Sequence, residues 1–321
     1  MHSFSELVGQ FEERFTSVIA PAAQPQSLYE PIRYFLELGG KRVRPVLCLM
    51  ASELFGQIPD DAWQAANAIE VFHNFTLVHD DIMDKAPLRR GKQTVHTKYG
   101  LTSGILGGDA MCILAYASLA NIRQPLQPIL DVFNRTALEV CEGQQLDMDF
   151  ELRDDVSVSD YVNMIGLKTS VLLAGSLKIG ALLAGATVHA ADKLYQFGKA
   201  LGIAFQLQDD YLDAFGAPEK TGKQPGGDIQ ANKKTYLYLK ALEQGSNEQK
   251  MELERLETIS GEEKVQAVLQ VFEQTGAGVQ CREAVQEYSN RAFDCLDSVP
   301  VLAAQKQPLF ELASYLLQRD Y

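Results

Sequence analysis

Apolar residues recur at helical spacing along almost the whole chain. The pattern predicts helices over about 3–19, 26–38, 46–55, 60–84, 102–120, 126–150, 158–186, 190–214, 231–243, 262–275, 278–297 and 302–318. No run of alternating β-branched residues marks a strand. Asp60 or Asp61 is placed to cap the long fourth helix, and Pro125, Pro128, Pro300 and Pro308 fit helix starts or connectors. Two loops stand out. Lys85 to Lys98 is basic, and Ala217 to Asp228 holds Gly222, Lys223, Gly226 and Gly227. No shift in composition marks a boundary. The expectation is one all-α domain over 1–321, with long helices around a central cavity. The longest apolar tract, Val171 to Thr187, is interrupted by Lys178 and diluted by Gly and Ser. It is short for a membrane span and reads as a buried central helix.

Two of these helices end on the same acidic pattern. The first reads Asp80-Asp81-Ile82-Met83-Asp84 and the second Asp209-Asp210-Tyr211-Leu212-Asp213. Positions i and i+4 of a helix differ by only about 40°, so the outer aspartates of each motif share a face. Pro87, and Gly216 with Pro218, place both motifs near helix C-termini. That is the negative end of the helix dipole, where a carboxylate is disfavoured by roughly 0.3–1 kcal/mol. Clustered carboxylates repel unless a cation neutralises them. An all-oxygen set with few protein ligands suits Mg²⁺, which keeps waters and bridges to phosphates. One such cluster is often a solvated helix end; two in matching contexts argue for metal.

Composition narrows the classes. The chain has 321 residues, 46% hydrophobic and 22% charged, as in an ordinary globular protein. Its net charge of −13 disfavours nucleic acid as a partner. Cys48, Cys112, Cys141, Cys281 and Cys295 are odd in number and form no CxxC pair, which fits a reduced cytoplasmic setting. The start, Met1-His2-Ser3-Phe4, has no basic stretch leading into an apolar one, so no signal peptide is expected.

Basic residues accompany the acidic motifs. Gly39-Gly40-Lys41-Arg42-Val43-Arg44-Pro45 opens the third helix, where close backbone approach and a helix N-terminus favour anions. Arg89-Arg90-Gly91 follows the first motif, and Lys223 and Lys233 follow the second. Arginine forks and mobile lysines both suit phosphate oxygens. His73 lies about two turns before Asp80, and Gln206 stands in the same relation to Asp213. Lys168, in Lys168-Thr169-Ser170, begins the most apolar helix and needs an anionic or dipolar partner there. Gln144 and Asp147 occupy a helical stretch, whereas His2, His79, His96 and His189 show no ligand spacing.

Taken in order, these motifs resemble the trans-isoprenyl diphosphate synthase, or polyprenyl synthetase, family over most of the chain. The resemblance implies an all-α isoprenoid-synthase fold, a homodimer, and Mg²⁺-dependent head-to-tail condensation. It implies about three Mg²⁺ per site, with Mn²⁺ an alternative. Asp80, Asp84 and Asp209 would hold metal, supported by Asp81, Asp210 and Asp213. Arg89, Lys168, Lys223 and Lys233 would contact the allylic diphosphate. Lys41, Arg44, His73 and Arg90 would bind isopentenyl diphosphate. Thr169 and Gln206 would lie near the reacting carbon. Arg319 is a further candidate for the homoallylic diphosphate, although the chain ends Arg319-Asp320-Tyr321 rather than in a basic tail.

In the family, bulk four and five residues before the first motif sets product length. Phe75 and Thr76 hold those positions. An aromatic at the fifth resembles synthases of the C20 product, with C15 the close alternative. Helix geometry alone does not choose between the two positions, and Phe75 as plain core is the bland reading. Other classes fit less well. A class I terpene cyclase carries a different second metal motif, a non-catalytic synthase subunit would lack one motif, and a di-iron bundle needs two Glu-x-x-His motifs where only Glu70 to His73 matches.

Overall fold

The computed structural model describes residues 1–15, 23–216 and 226–317. The all-α expectation holds. The helices are α1 Phe4–Phe15, α2 Gln26–Glu37, α3 Val43–Glu53, α4 Asp60–Met83, α5 Val95–Tyr99, α6 Leu101–Ala120, α7 Gln127–Leu152, α8 Val158–Ile165, α9 Val171–Leu183, α10 Val188–Phe215, α11 Gly227–Gln230, α12 Tyr236–Gln244, α13 Asn247–Glu257, α14 Glu262–Thr275, α15 Ala277–Asp297 and α16 Ala303–Leu317. A π-helical turn, Gly166–Ser170, joins α8 to α9. One short antiparallel hairpin, β1 Leu88–Arg89 and β2 Lys92–Gln93, pairs Leu88 with Gln93 and Arg89 with Lys92.

Contacts divide the chain into two compact units, 1–134 with 175–192, and 135–174 with 193–321. In the first, α4 packs on α3 and α6, while α1 lies on α3 and α2 on α6. Residues Val46 to Ser52 of α3 are buried, so α3 runs through the core. Leu7, Phe11, Ile32 and Phe35 seal α1 and α2 onto it, each worth roughly 1.5–3 kcal/mol on full burial. Helices α4 and α6 meet closely because α6 is glycine-rich at the contact. A Cβ on Gly108 would stand 2.3 Å from His79 Nε2, so a larger residue there would have to displace the His79 ring.

In the second unit, α12 is the hub, packing on α8, α13, α14 and α15. Its core gathers Ile203, Leu207, Leu237, Leu253, Phe272 and Cys281. Ser157 and Asp160 form a reciprocal capping box on α8.

Several sequence expectations change. Neither Asp60 nor Asp61 caps α4. Pro59 precedes its first turn, and Asp61 instead accepts from Arg123 N at 3.1 Å and Gln124 N at 3.0 Å. The predicted 158–186 helix is α8, the π turn and α9. Pro308 lies inside α16 rather than at its start. The predicted 231–243 helix begins only at Tyr236, as α12, and the short helix α11 lies just before the predicted range. Helix α13 was not predicted because it is polar nearly all round, burying only Leu253 and Leu256.

Two helical stretches, Leu101–Ala120 and Val158–Leu183, are long and apolar enough to cross a membrane. The second is 72% buried over its most apolar window, as expected of a core helix, and the first only 33%.

Candidate active site

The first unit assembles the basic loop before α3 against α4. Gly39 has φ 74° and Arg42 φ 51°, so the loop turns twice through the left-handed region. The guanidinium of Arg90 lies on Gly40, where a Cβ would stand 3.1 Å from Arg90 Nη2. Arg44 Nη1 donates to His73 Nε2 at 3.0 Å, which leaves the ring proton on Nδ1. Burial, and then Arg44 and Arg90, push His73 well below the usual histidine range, so it is neutral. Burial also lowers Arg44 to about 10, with Glu70 opposing and Arg90 adding to the fall. Arg44 therefore stays charged at neutral pH. Lys41 is exposed at the tip of the same loop. Arg42 is different. Its Nη1 donates to the buried Glu70 at 2.6 Å and its Nε to Glu12 at 2.7 Å.

The first acidic motif closes α4, with Asp84 as C-cap. Asp81 is 1% exposed and its Oδ1 accepts from Arg89 Nε at 2.8 Å. Its Oδ2 is buried with no hydrogen-bond partner among the described residues. Burial raises the Asp81 carboxyl while Arg89 pulls it down. Asp80 receives Arg89 Nη2 at 3.3 Å and is 20% exposed. Arg89, expected on phosphate, thus lies on the motif itself in this structure.

The second unit carries the other motif inside the last two turns of α10. Asp210 is buried, and Tyr161 OH donates to its Oδ2 at 2.5 Å. Burial pushes Asp210 up to about 8, with Asp228 and Asp209 acting the same way and Tyr161 opposing. Asp213 anchors the chain after 217–225. Its Oδ2 accepts from Asp228 N at 3.0 Å, and its backbone oxygen accepts from Gly226 N at 2.6 Å. Asp209 remains half-buried. Lys168, in the π turn, finds its anion in Asp147 at 2.6 Å. The turn can sit against α7 only because residue 143 is glycine, whose Cβ would fall 2.2 Å from Lys168 N. Thr169 is half-buried in the same turn, and Gln206 is half-buried on α10 one turn before Asp210. Lys233 pairs with Asp228 at 3.6 Å. Lys223 and Arg319 lie outside the described residues.

Among the described residues, no three carboxylate, imidazole or thiol groups form a complete cage for a metal ion. Mg²⁺ typically takes one or two carboxylates, waters and substrate phosphates rather than such a cage. The oxygen-only donors and the orphaned Asp81 Oδ2 fit that mode.

Residues 25–275 match the polyprenyl synthetase family model. The chain belongs to the polyprenyl synthetase family. It is similar to a geranylgeranyl diphosphate synthase of Methanosarcina mazei, 36% identical with 98% of each chain covered. A geranylgeranyl pyrophosphate synthase of Geoglobus acetivorans is 39% identical, with 93% of this chain and 92% of the relative covered. A geranylfarnesyl diphosphate synthase of Natronomonas pharaonis is 36% identical over 94% of this chain and 92% of its own length. Among solved structures, one geranylgeranyl pyrophosphate synthase superposes with TM-score 0.94 at 46% identity, over 100% of both chains. Like its family, the chain is a prenyltransferase.

Phe75 and Thr76, the expected product-length positions, lie on α4 within two turns of the first motif. Phe75 is half-buried, its ring 5.4 Å from Phe72 and 4.9 Å, edge-on, from His79. Thr76 turns its hydroxyl back onto His73 O at 2.8 Å. Sequence reasoning did not single out Tyr161 or Asp228 for the site, and it gave Arg42 no role. Nothing local marks Tyr161, which meets Asp210 across 49 residues.

Proposed function

We propose that this prenyltransferase condenses isopentenyl diphosphate head-to-tail with an allylic diphosphate to give an all-trans C20 product. The observation that carries the reading is the shared construction of the two acidic motifs. In each, the middle aspartate is buried on a protein partner, Asp81 on Arg89 and Asp210 on Tyr161. The outer carboxylates Asp80, Asp84 and Asp209 are more open and are assigned to Mg²⁺. When bound, Mg²⁺ offsets negative charge on the departing diphosphate.

The chain's own groups do the rest. Arg44, fixed by neutral His73, presents a charged fork to isopentenyl diphosphate, with Arg90 and Lys41 beside it. Lys168 and Lys233 serve the allylic diphosphate, each held meanwhile by an aspartate. Ionisation of the allylic C–O bond gives a carbocation. The alkene of isopentenyl diphosphate attacks it, and the proton leaves to the released diphosphate. No protein base is required, and the cation has to be kept from water while it lasts.

An aromatic at position 75 and relatives named for geranylgeranyl products favour C20 over C15. Exposed Leu101, Leu106 and Ile113 on α6 support a homodimer, which light scattering tests. The odd cysteine count supports a cytoplasmic location, which fractionation of the native cells tests.

The functional test uses purified protein, Mg²⁺, labelled isopentenyl diphosphate and each allylic primer in turn. Elongation to C20 is expected. A cyclic hydrocarbon from one allylic substrate alone would overturn condensation in favour of a cyclase.

A further inference from the structure

Arg42 sits in the basic loop but offers nothing outward. It is 4% exposed, and all three guanidinium nitrogens are engaged, Nε with Glu12, Nη1 with Glu70 and Nη2 with Leu36 O at 3.4 Å. Its carbon centre stands 5.1 Å over the Phe15 ring. Its backbone has φ 51°, a conformation a side chain with Cβ resists. Such an outlier persists only where surrounding contacts determine it. Glu70 is one turn before His73 on α4, so a single face of α4 receives Arg42 at one level and Arg44 at the next. Helix α1 supplies the third point through Glu12. Helix α1 precedes residues 25–275, the part that matches the family model. Further contacts tie the N-terminal segment down. Arg14 lies 4.1 Å over Trp63 of α4, and His2 meets Glu53 of α3 at 2.6 Å.

We propose that Glu12 and Glu70, acting through Arg42, are positioning residues for isopentenyl diphosphate, which makes α1 part of the substrate-binding machinery. The inference rests on the assignment of Lys41, Arg44, His73 and Arg90 to that substrate. Rotation about the Arg42 backbone swings Lys41 relative to Arg44. Holding Arg42 therefore fixes where both cations point. Arg42 with its two glutamates carries a formal charge of −1, so it adds no positive charge for phosphate to that of Lys41, Arg44 and Arg90.

Glu12 is the residue to test, because its side chain is 42% exposed and tolerates change. Glu12→Ala is expected to raise KM for isopentenyl diphosphate by about three- to tenfold. KM for the allylic primer should stay near wild type, and Tm should fall by no more than the loss of one charged hydrogen bond, which leaves the fold intact. Glu12→Gln should recover most of the loss, since its amide oxygen still accepts from Arg42 Nε. In an Arg42→Met background, adding Glu12→Ala should change nothing further. An unchanged KM for isopentenyl diphosphate, or an equal rise in both KM values, would overturn the proposal. So would a fall in Tm with no selectivity between substrates. A wild-type protein that elongates no primer would instead sink the functional reading itself.

Discussion

Asp81 and Asp210 occupy the same place in two copies of one pattern, yet the protein satisfies them by different means. Asp81 is buried against a cation, Arg89, which offsets its charge. Asp210 is buried against a neutral hydroxyl, Tyr161, which donates a hydrogen bond and no charge. Burial raises both carboxyls, but only Asp81 has a positive neighbour pulling strongly back. Both carboxyls therefore stay above the ordinary aspartate range, Asp81 with Arg89 drawing it back and Asp210 with only the hydrogen bonds it accepts to do so. If both motifs hold metal as proposed, that difference predicts that they depend on it to different degrees.

The largest effects should come from the open carboxylates. Asp80→Asn and Asp209→Asn should each lower kcat by on the order of 10²-fold or more, measured at saturating Mg²⁺ and both substrates. Retained activity in either would remove that residue from the metal set. The middle aspartates should separate by sign of stability change. Asp81→Asn strips a buried charge partner from Arg89 and should cost about 1–3 kcal/mol, read as a lower Tm.

Asp210→Asn should do the opposite in metal-free protein. The folded value of about 8 stands above the ordinary aspartate value of about 3.9. The folded state therefore holds the Asp210 proton more tightly than the unfolded state. Stability that is complete below pH 4 is lost as pH rises through about 8. Asparagine has no charge to bury and can still accept from Tyr161. With chelator present, the Tm advantage of Asp210→Asn should grow from pH 4 to pH 8, and Mg²⁺ should shrink it. Equal signs for the two asparagine variants at pH 8 would erase the contrast between the motifs.

What could be read from sequence was local. The acidic motifs, the Gly39-Gly40 turn and the helices carrying them follow from spacing within a few residues. Lys168 was legible as a lysine needing an anion, but not that Asp147, 21 residues earlier, would supply it. The resemblance passes over Arg42 between Lys41 and Arg44, but nothing in the sequence says that Glu12 and Glu70 hold it. Hairpin β1–β2 has only two residues per strand, too few for alternation to register. Helix α13 lacked an apolar stripe, and its one local signal was the capping box of Ser246 and Gln249. Long-range partners and polar elements are where periodicity carries no information.

The smallest expected effect concerns the helices beneath the motifs. Five residues before Asp80 stands Phe75, half-buried; five before Asp209 stands Ala204, fully buried. Only α4 therefore has bulk to remove at that level, and product length should answer to α4 alone. Phe75→Ala removes a ring but leaves Phe72 on Phe133, at 5.3 Å, and His79 on Ile105 O, at 3.1 Å. The helix contact should survive. If Phe75 limits the chain, chromatography should show products longer by about one isoprene unit with modest loss of Tm. If Phe75 is only core, Tm should fall by the cost of a partly filled cavity, up to about 3 kcal/mol at a half-buried site, with the product unchanged. The two outcomes move different observables, so one variant separates a specificity residue from a packing residue.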